Sequence, residues 1–360
     1  MEMPSYTSLM RFFSSVGILL QGCHSDVTCK NDTGHDVDWY ILYKQPNLNG
    51  FGSSYLYMDD TSDGWIKSGE DIDSRSGSLG RTLKPLLDFY DKKTEGFGYM
   101  LYNDQPPPPY VAASSFGHSK GIVILDRQTG VWLSHSTPKF PTYRRRDFWP
   151  KSGNMNAQTF ICVTFPYDQF REIGLQLKYI HAYSYDSDVP TTFHEELRCV
   201  AQRSCYPKSE PWTRLTVLTS VSRRSFRSYA KYSRFRDDLY SGFIVQSMPQ
   251  NLFVKSWGKL RKPLASNCSS SIPHHVYNVT FVQWPGRTAF SNTVDHSKWC
   301  VTADGSWTCI ADMNREESQM SRGGGAICTD NPGVGRAFRA LISDYVPCKS
   351  LHRDARDREL

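Results

Sequence analysis

The sequence has no C-x-x-C pair, so its ten cysteines read as disulfides rather than zinc ligands. No stretch approaches 18 apolar residues, which excludes a membrane-spanning helix by this criterion. There is no Walker loop. His194-Glu195 has no His three residues on, so zinc-protease chemistry is not indicated. The helix-former composition of a coiled coil is absent. An apolar fraction of 39% with 22% charged residues excludes a disordered or collagen-like chain. Charge is also in short supply. Lys+Arg number 42 against Asp+Glu 36, a net +6. The ten His would carry it to about +16 when protonated, so a polyanionic partner becomes more favourable in acid.

What is there points first to a compartment. Arg11 precedes the short apolar stretch Phe12 to Leu20, and small polar residues follow from Gly22 to Ser25. Residues 1–25 therefore read as a secretory signal peptide. Three glycosylation acceptors agree, at Asn31, Asn267 and Asn278. Cys199 and Cys205 are close enough to pair.

A length of 360 residues suits two domains or one duplicated unit. Runs rich in β-branched and aromatic residues predict strands at 37–44, 55–58, 97–103, 121–125, 130–133, 159–165, 276–284, 299–302 and 307–311. Helical spacing predicts helices at 83–90, 222–240 and 335–344. The 222–240 stretch interleaves Arg223, Arg224 and Arg227 with aromatics. Together with Arg144 and Arg145 in an irregular loop over 138–157, these are candidate phosphate contacts.

The most informative pattern is doubled. His118-Ser119-Lys120 recurs as His296-Ser297-Lys298, 178 residues later, each on the N-terminal side of a predicted strand. Asp126 and Asp304 follow at the same distance, and each begins a turn that contains Gly and precedes a Trp. An internal duplication accounts for this, with two like halves packed about a pseudo-two-fold axis. Such an axis would bring two His and two Lys to one point. Two imidazoles can divide the roles of nucleophile and general acid. Two ammonium groups can hold a phosphoryl group as a bond breaks. The chemistry indicated is phosphodiester cleavage without a metal or other cofactor.

The doubled H-x-K resembles the phospholipase D superfamily, and its particular form is similar to the deoxyribonuclease II family. The residues that carry the resemblance include Val37-Asp38-Trp39-Tyr40, Tyr102-Asn103-Asp104, Gly117-His118-Ser119-Lys120-Gly121, Trp132-Leu133-Ser134-His135-Ser136, Pro190-Thr191-Thr192-Phe193-His194, Asp295-His296-Ser297-Lys298-Trp299-Cys300 and the run from Trp307 to Arg315. They span nearly the whole mature chain in order. The spacing to Asp126 and Asp304 is one residue longer than in the superfamily, so no catalytic role carries over to either.

The resemblance implies a mixed α/β fold of two halves, each a mixed β-sheet flanked by helices. The boundaries would be 26–170 and 171–349, with a charged tail over 350–360. It implies an acid endonuclease of lysosomes, or a secreted one, that cuts DNA to 3′-phosphate and 5′-hydroxyl ends through a phosphohistidine. His118, Lys120, His296 and Lys298 would be catalytic. It implies disulfides Cys29–Cys162, Cys268–Cys348 and Cys309–Cys328, and with a Cys199–Cys205 pair Cys300 would remain free. Two other readings compete. Gly117 to Gly121 also spells G-x-S-x-G, the elbow of a serine hydrolase with Ser119 as nucleophile. That elbow needs a helix after the Ser, and a strand pattern follows instead. The other alternative is a non-catalytic secreted DNA-binding protein.

Overall fold

The computed structural model describes residues 27–48, 50 and 52–348. The predicted signal peptide and charged tail lie outside them. No helix among the described residues is long and apolar enough to cross a membrane.

A short ribbon, β1 (Cys29–Lys30) with β2 (Asp36–Val37), precedes the first large sheet. That sheet contains β3 (Trp39–Lys44), β4 (Ser54–Asp59), β5 (Ile66–Asp71), β6 (Gly98–Asn103), β7 (Lys120–Leu125), β8 (Thr129–His135), β9 (Gln158–Pro166) and β10 (Ser184–Asp188). Its order is β10-β6-β7-β8-β9-β3-β4-β5. The second sheet contains β11 (Thr213–Thr219), β12 (Ser225–Lys231), β13 (Leu252–Lys255), β14 (Val276–Val282), β15 (Phe290–Ser291), β16 (Trp299–Thr302), β17 (Thr308–Ala311), β18 (Gly324–Thr329) and β19 (Ile342–Val346). Its order is β11-β12-β18-β17-β16-β13-β14-β15, with β19 also paired to β14. The helices are α1 (Ser78–Asp91), α2 (Gln169–Ile180), α3 (Glu195–Ala201), α4 (Glu317–Met320) and α5 (Pro332–Ala340).

Period-two alternation explains the layering. In β3, Trp39, Ile41 and Tyr43 join a central core while Tyr40 and Leu42 join an outer one beneath α1. In the second sheet, Trp299, Val301, Ile310 and Ile327 face the same central core, and Cys300, Cys309 and Cys328 face a third cluster outside. The two sheets therefore share one core, which α2 and α5 also enter. The helix after β9, α2, packs on β11, β12 and β18 of the other sheet. The helix after β18, α5, meets the first sheet's turn, where Trp65 Nε1 donates to Ala337 O at 3.2 Å.

All nine predicted strands are present. The fold departs from expectation in three places. The first sheet is antiparallel throughout, and only the second is mixed, through the parallel pair β13–β14. The stretch 222–240 is not a helix: β12 lies between β11 and β18 with a full ladder to each. Arg and aromatic spacing imitates a helix there, but pairing to two neighbours outweighs the weak local preference. The last predicted helix ends at Ala340 rather than 344, and 342–346 becomes β19, laddered to β14. It also begins earlier, because Asn331 accepts from the Gly333 and Val334 N–H groups and Pro332 fits the first turn.

Among the described residues the disulfides are Cys29–Cys162, Cys199–Cys205, Cys268–Cys348 and Cys309–Cys328, with Cys300 free and buried. Asp126 and Asp304 are turn-formers. Asp126 accepts from the N–H groups of Gln128 and Thr129, and Asp304 from that of Ser306. Their matched spacing follows from matched hairpins, β7–β8 and β16–β17.

Candidate active site

The first H-x-K motif ends on the first residue of β7 and the second ends just before β16, both interior strands, so the tertiary pairing holds each from both sides. The His118 N–H donates to Gly323 O at 2.8 Å, just before β18. The His296 N–H donates to Ala157 O at 2.9 Å, just before β9. Each motif is thus tied to the strand entry of the opposite sheet. Gly117 has to be glycine, since a Cβ there would lie 1.9 Å from Ile180 O.

His118, Lys120 and Lys298 are buried and His296 half-buried, and the four form one electrostatically coupled group. Burial, reinforced by Lys120, Lys298 and Arg322, holds the His118 imidazole well below its usual range, with Asp104 opposing. Burial also lowers His296 strongly, helped by Lys298, Lys255, Lys120 and His118. Lys298 is likewise pushed well down by burial, then by Lys120 and Lys255. Both shifts favour the neutral imidazole, and lower pH or a nearby anion favours its protonation.

The supporting shells differ. Lys120 Nζ pairs with buried Asp104, whose other oxygen accepts from Arg322 Nη2 at 3.2 Å. Burial opposes ionisation of Asp104, but Lys120, His118 and Arg322 outweigh it and hold the carboxyl well below the usual range. His118 Nδ1 lies 2.7 Å from Asp312 O. A carbonyl only accepts, so Nδ1 carries the hydrogen and the neutral ring leaves the Nε2 lone pair free. The Asp312 carboxyl accepts from Gly325 N at 3.1 Å through Oδ2, and burial pushes it up to about 7.

On the other side, Asp295 precedes the motif and braces it. It accepts from Ser297 N at 2.9 Å and Tyr43 OH, and pairs with Lys255 Nζ at 2.8 Å. Lys255 also donates to the carbonyls of Asp295 and Ser297.

His135, at the end of β8, belongs to the same site. Its Nδ1 accepts from Thr137 N at 3.1 Å, leaving an N–H on Nε2 that is buried without a partner. Burial, Lys120 and Lys298 hold this imidazole well below its usual range. Sequence reasoning assigned no role to His135, Asp104, Asp295 or Asp312. Their signal lay in the stretches that carry the family resemblance, but only folding shows what they touch.

The candidate DNA contacts are placed apart. Arg144 pairs with Asp186 at 2.9 Å and, with Arg145, lines a surface cleft of about 210 Å³ beside Tyr90 and Tyr99. Arg223 and Arg224 sit exposed in the turn between β11 and β12. Arg227 stacks over Trp307 at 4.0 Å. Ser119 is buried, its hydroxyl has no partner, and a strand follows it, so the serine-hydrolase elbow is not formed. Among the described residues, the one His/Cys/Asp/Glu group with metal-ligand spacing is Cys268, His275 and Cys348, and its two thiols are joined as a disulfide.

The deoxyribonuclease II family model matches residues 28–348. Deoxyribonuclease-2-alpha of Mus musculus is 39% identical over 89% of this chain and 94% of its own length. Deoxyribonuclease-2-beta of Homo sapiens is 36% identical over 90% and 92%. Plancitoxin-1 of Acanthaster planci is 34% identical over 96% of this chain and all of the relative. The chain belongs to the deoxyribonuclease II family.

Proposed function

We propose that this member of the deoxyribonuclease II family is a hydrolase, an endonuclease that cleaves DNA in acid without a metal ion. Its two halves, 26–170 and 171–349, are related by a pseudo-two-fold axis, with β10 of the second half crossing to the edge of the first sheet. The matching strand orders support this: β6-β7-β8-β9-β3 in one sheet, β13-β16-β17-β18-β12 in the other. The observation that carries the functional reading is the meeting of His118, Lys120, His296 and Lys298 through reciprocal backbone bonds.

His118 is the nucleophile, because its Nδ1–H is engaged by the Asp312 carbonyl and its Nε2 is free. The Nε2 lone pair attacks phosphorus, and the P–O5′ bond breaks. Protonated His296 donates its proton to the departing 5′-oxygen. Neutral His296 then takes a proton from water, whose oxygen attacks the phosphohistidine and breaks the P–N bond. The products are a 3′-phosphate and a 5′-hydroxyl. Lys120 and Lys298 stabilise the phosphoryl oxygens.

Acid dependence follows from the site's own electrostatics. His296 must be charged, yet burial and three lysines oppose it. Lower pH and the phosphate's negative charge both restore its proton. The four disulfides suit an oxidising compartment, and acid activity suits the lysosome. Arg145, Arg223 and Arg224 are proposed to steer the DNA backbone, and Arg144 and Arg227 would do so only by leaving their present partners.

The test is plasmid cleavage at about pH 5 in EDTA, followed by end-group analysis. Cleavage leaving 3′-phosphate is expected. Loss of activity in EDTA, or 5′-phosphate ends, refutes the mechanism. Binding without cleavage supports the non-catalytic alternative.

A further inference from the structure

The loop after β13 brings Trp257 against His296, with the two rings in direct contact. The loop is pinned on several sides. Lys255 bonds the second motif's carbonyls, Trp257 N donates to Asn314 Oδ1 at 3.2 Å, and Gly258 N donates to Asn292 O at 3.0 Å. Gly258 permits that approach, since a Cβ there would fall 2.0 Å from Asn292 Oδ1. Trp257 therefore holds a fixed position over the motif.

Three nitrogens around this motif lack partners. Trp257 Nε1 and His296 Nε2 are buried and unbonded. Lys298 Nζ makes no ion pair or hydrogen bond among the described residues, whereas Lys120 is paired with Asp104. An indole N–H only donates, and a buried donor left unbonded is costly. Protonated His296 and Lys298 also only donate. Lys298 is electrostatically coupled to Asp104 and to Asp312, whose Oδ1 is itself buried and unbonded, but none of the three donors bonds an acceptor among the described residues, which describes a site for an oxyanion.

We propose that Trp257 contacts substrate: its indole N–H donates to a non-bridging oxygen of the scissile phosphate, beside Lys298 and protonated His296. The inference rests on the reading of His296 as catalytic. The indole also excludes water from the His296 ring, but that second part does not require its N–H.

The Trp257→Phe variant separates the two, because it keeps the ring and removes the donor. Wild type and W257F are compared for kcat/KM on DNA, for inhibition by inorganic phosphate and for Tm. In parallel, indole ¹H–¹⁵N resonances of the ¹⁵N-tryptophan-labelled wild type are followed during titration with inorganic phosphate. The Trp257 signal is the one missing from W257F. The expected result is an about ten- to hundredfold loss of kcat/KM, about tenfold weaker phosphate inhibition, an unchanged Tm, and a phosphate-dependent shift of that resonance. Unchanged phosphate inhibition together with an unmoved resonance overturns the proposal, whatever happens to kcat/KM. If W257F does not fold, the wild-type resonance is assigned instead by its nuclear Overhauser contacts to the His296 ring, and it alone decides. Wild-type protein that fails to cleave DNA refutes the enzymatic reading, while the phosphate titration still reports on the oxyanion site.

Discussion

The two copies of one tripeptide stand in unlike electrostatic frames. In the first, the motif lysine is neutralised by Asp104, which is shared with Arg322, and the histidine is oriented by a carbonyl. In the second, the carboxylate Asp295 pairs with Lys255, a lysine outside the motif, and Lys298 is left without a partner among the described residues. Both motifs lead into a hairpin of a large sheet, β7–β8 in one and β16–β17 in the other. The neighbours then make one histidine a fixed neutral tautomer and surround the other with unsatisfied donors. Equal sequence motifs therefore sit in unequal environments, and a pKa and a tautomer belong to the environment rather than to the residue.

The largest effects should come from the histidines. H118A and H296A are each expected to lower cleavage by more than about a thousandfold. The comparison is sharpened by trapping. With an activated aryl phosphodiester, whose leaving group needs no acid, H296A should accumulate phosphate on His118. H118A should accumulate none. Phosphate mapped to His296 would reverse the assignment.

Stability comes next. D104N leaves Lys120 and Arg322 facing each other without a carboxylate, and should cost about 3–5 kcal/mol in urea unfolding. D295N should fall at the low end of that range, since Lys255 keeps two carbonyl acceptors. A loss for D104N no greater than that from breaking the exposed Lys84–Asp88 pair would remove the asymmetry.

A pH-dependent difference follows from Asp312. Its folded-state value of about 7 lies above the ordinary 3.8. The protonated carboxyl therefore contributes stability that is complete below about pH 4 and lost as pH rises through 7. D312N cannot lose it. The stability of wild type relative to D312N should fall by about 2–4 kcal/mol between pH 4 and 7. His118, His296 and His135, with lowered values, work in the opposite sense in both proteins, so they cancel in the difference. A constant difference across that range would count against a buried, raised carboxyl.

The smallest effect concerns glycans. Asn278 Nδ2 donates to Leu264 O at 2.8 Å while its Oδ1 accepts from Arg315 Nη1 at 2.7 Å. A glycan on that nitrogen would break the first bond. Peptide mass mapping should find Asn31 and Asn267 modified in preference to Asn278.

The strands were legible because those buried on both faces, such as β3 and β7, read as short continuous runs of β-branched and aromatic residues. The H-x-K pair was legible because it is repeated with its turns. The Ser222–Tyr240 stretch was misread because Arg and aromatic residues recur there every three or four positions, which local spacing cannot tell from a helix. Only β11 and β18 on either side make it a strand. Trp257 was invisible as a site residue, since nothing near it in sequence marks His296 as its neighbour.

The sequence alone determined the family, the four motif residues and the disulfide chemistry, because these rest on residue identity and order. The tertiary structure alone decided which lysine is neutralised, which histidine holds a free Nε2 and which donors lack an acceptor. Those properties depend on burial and on partners distant in the chain: Asp312 lies 194 residues from His118. The modest net charge of +6 gives no hint of them. What matters is that lysines and histidines are gathered into one largely buried cluster, where each charge acts on its neighbours more strongly than in water.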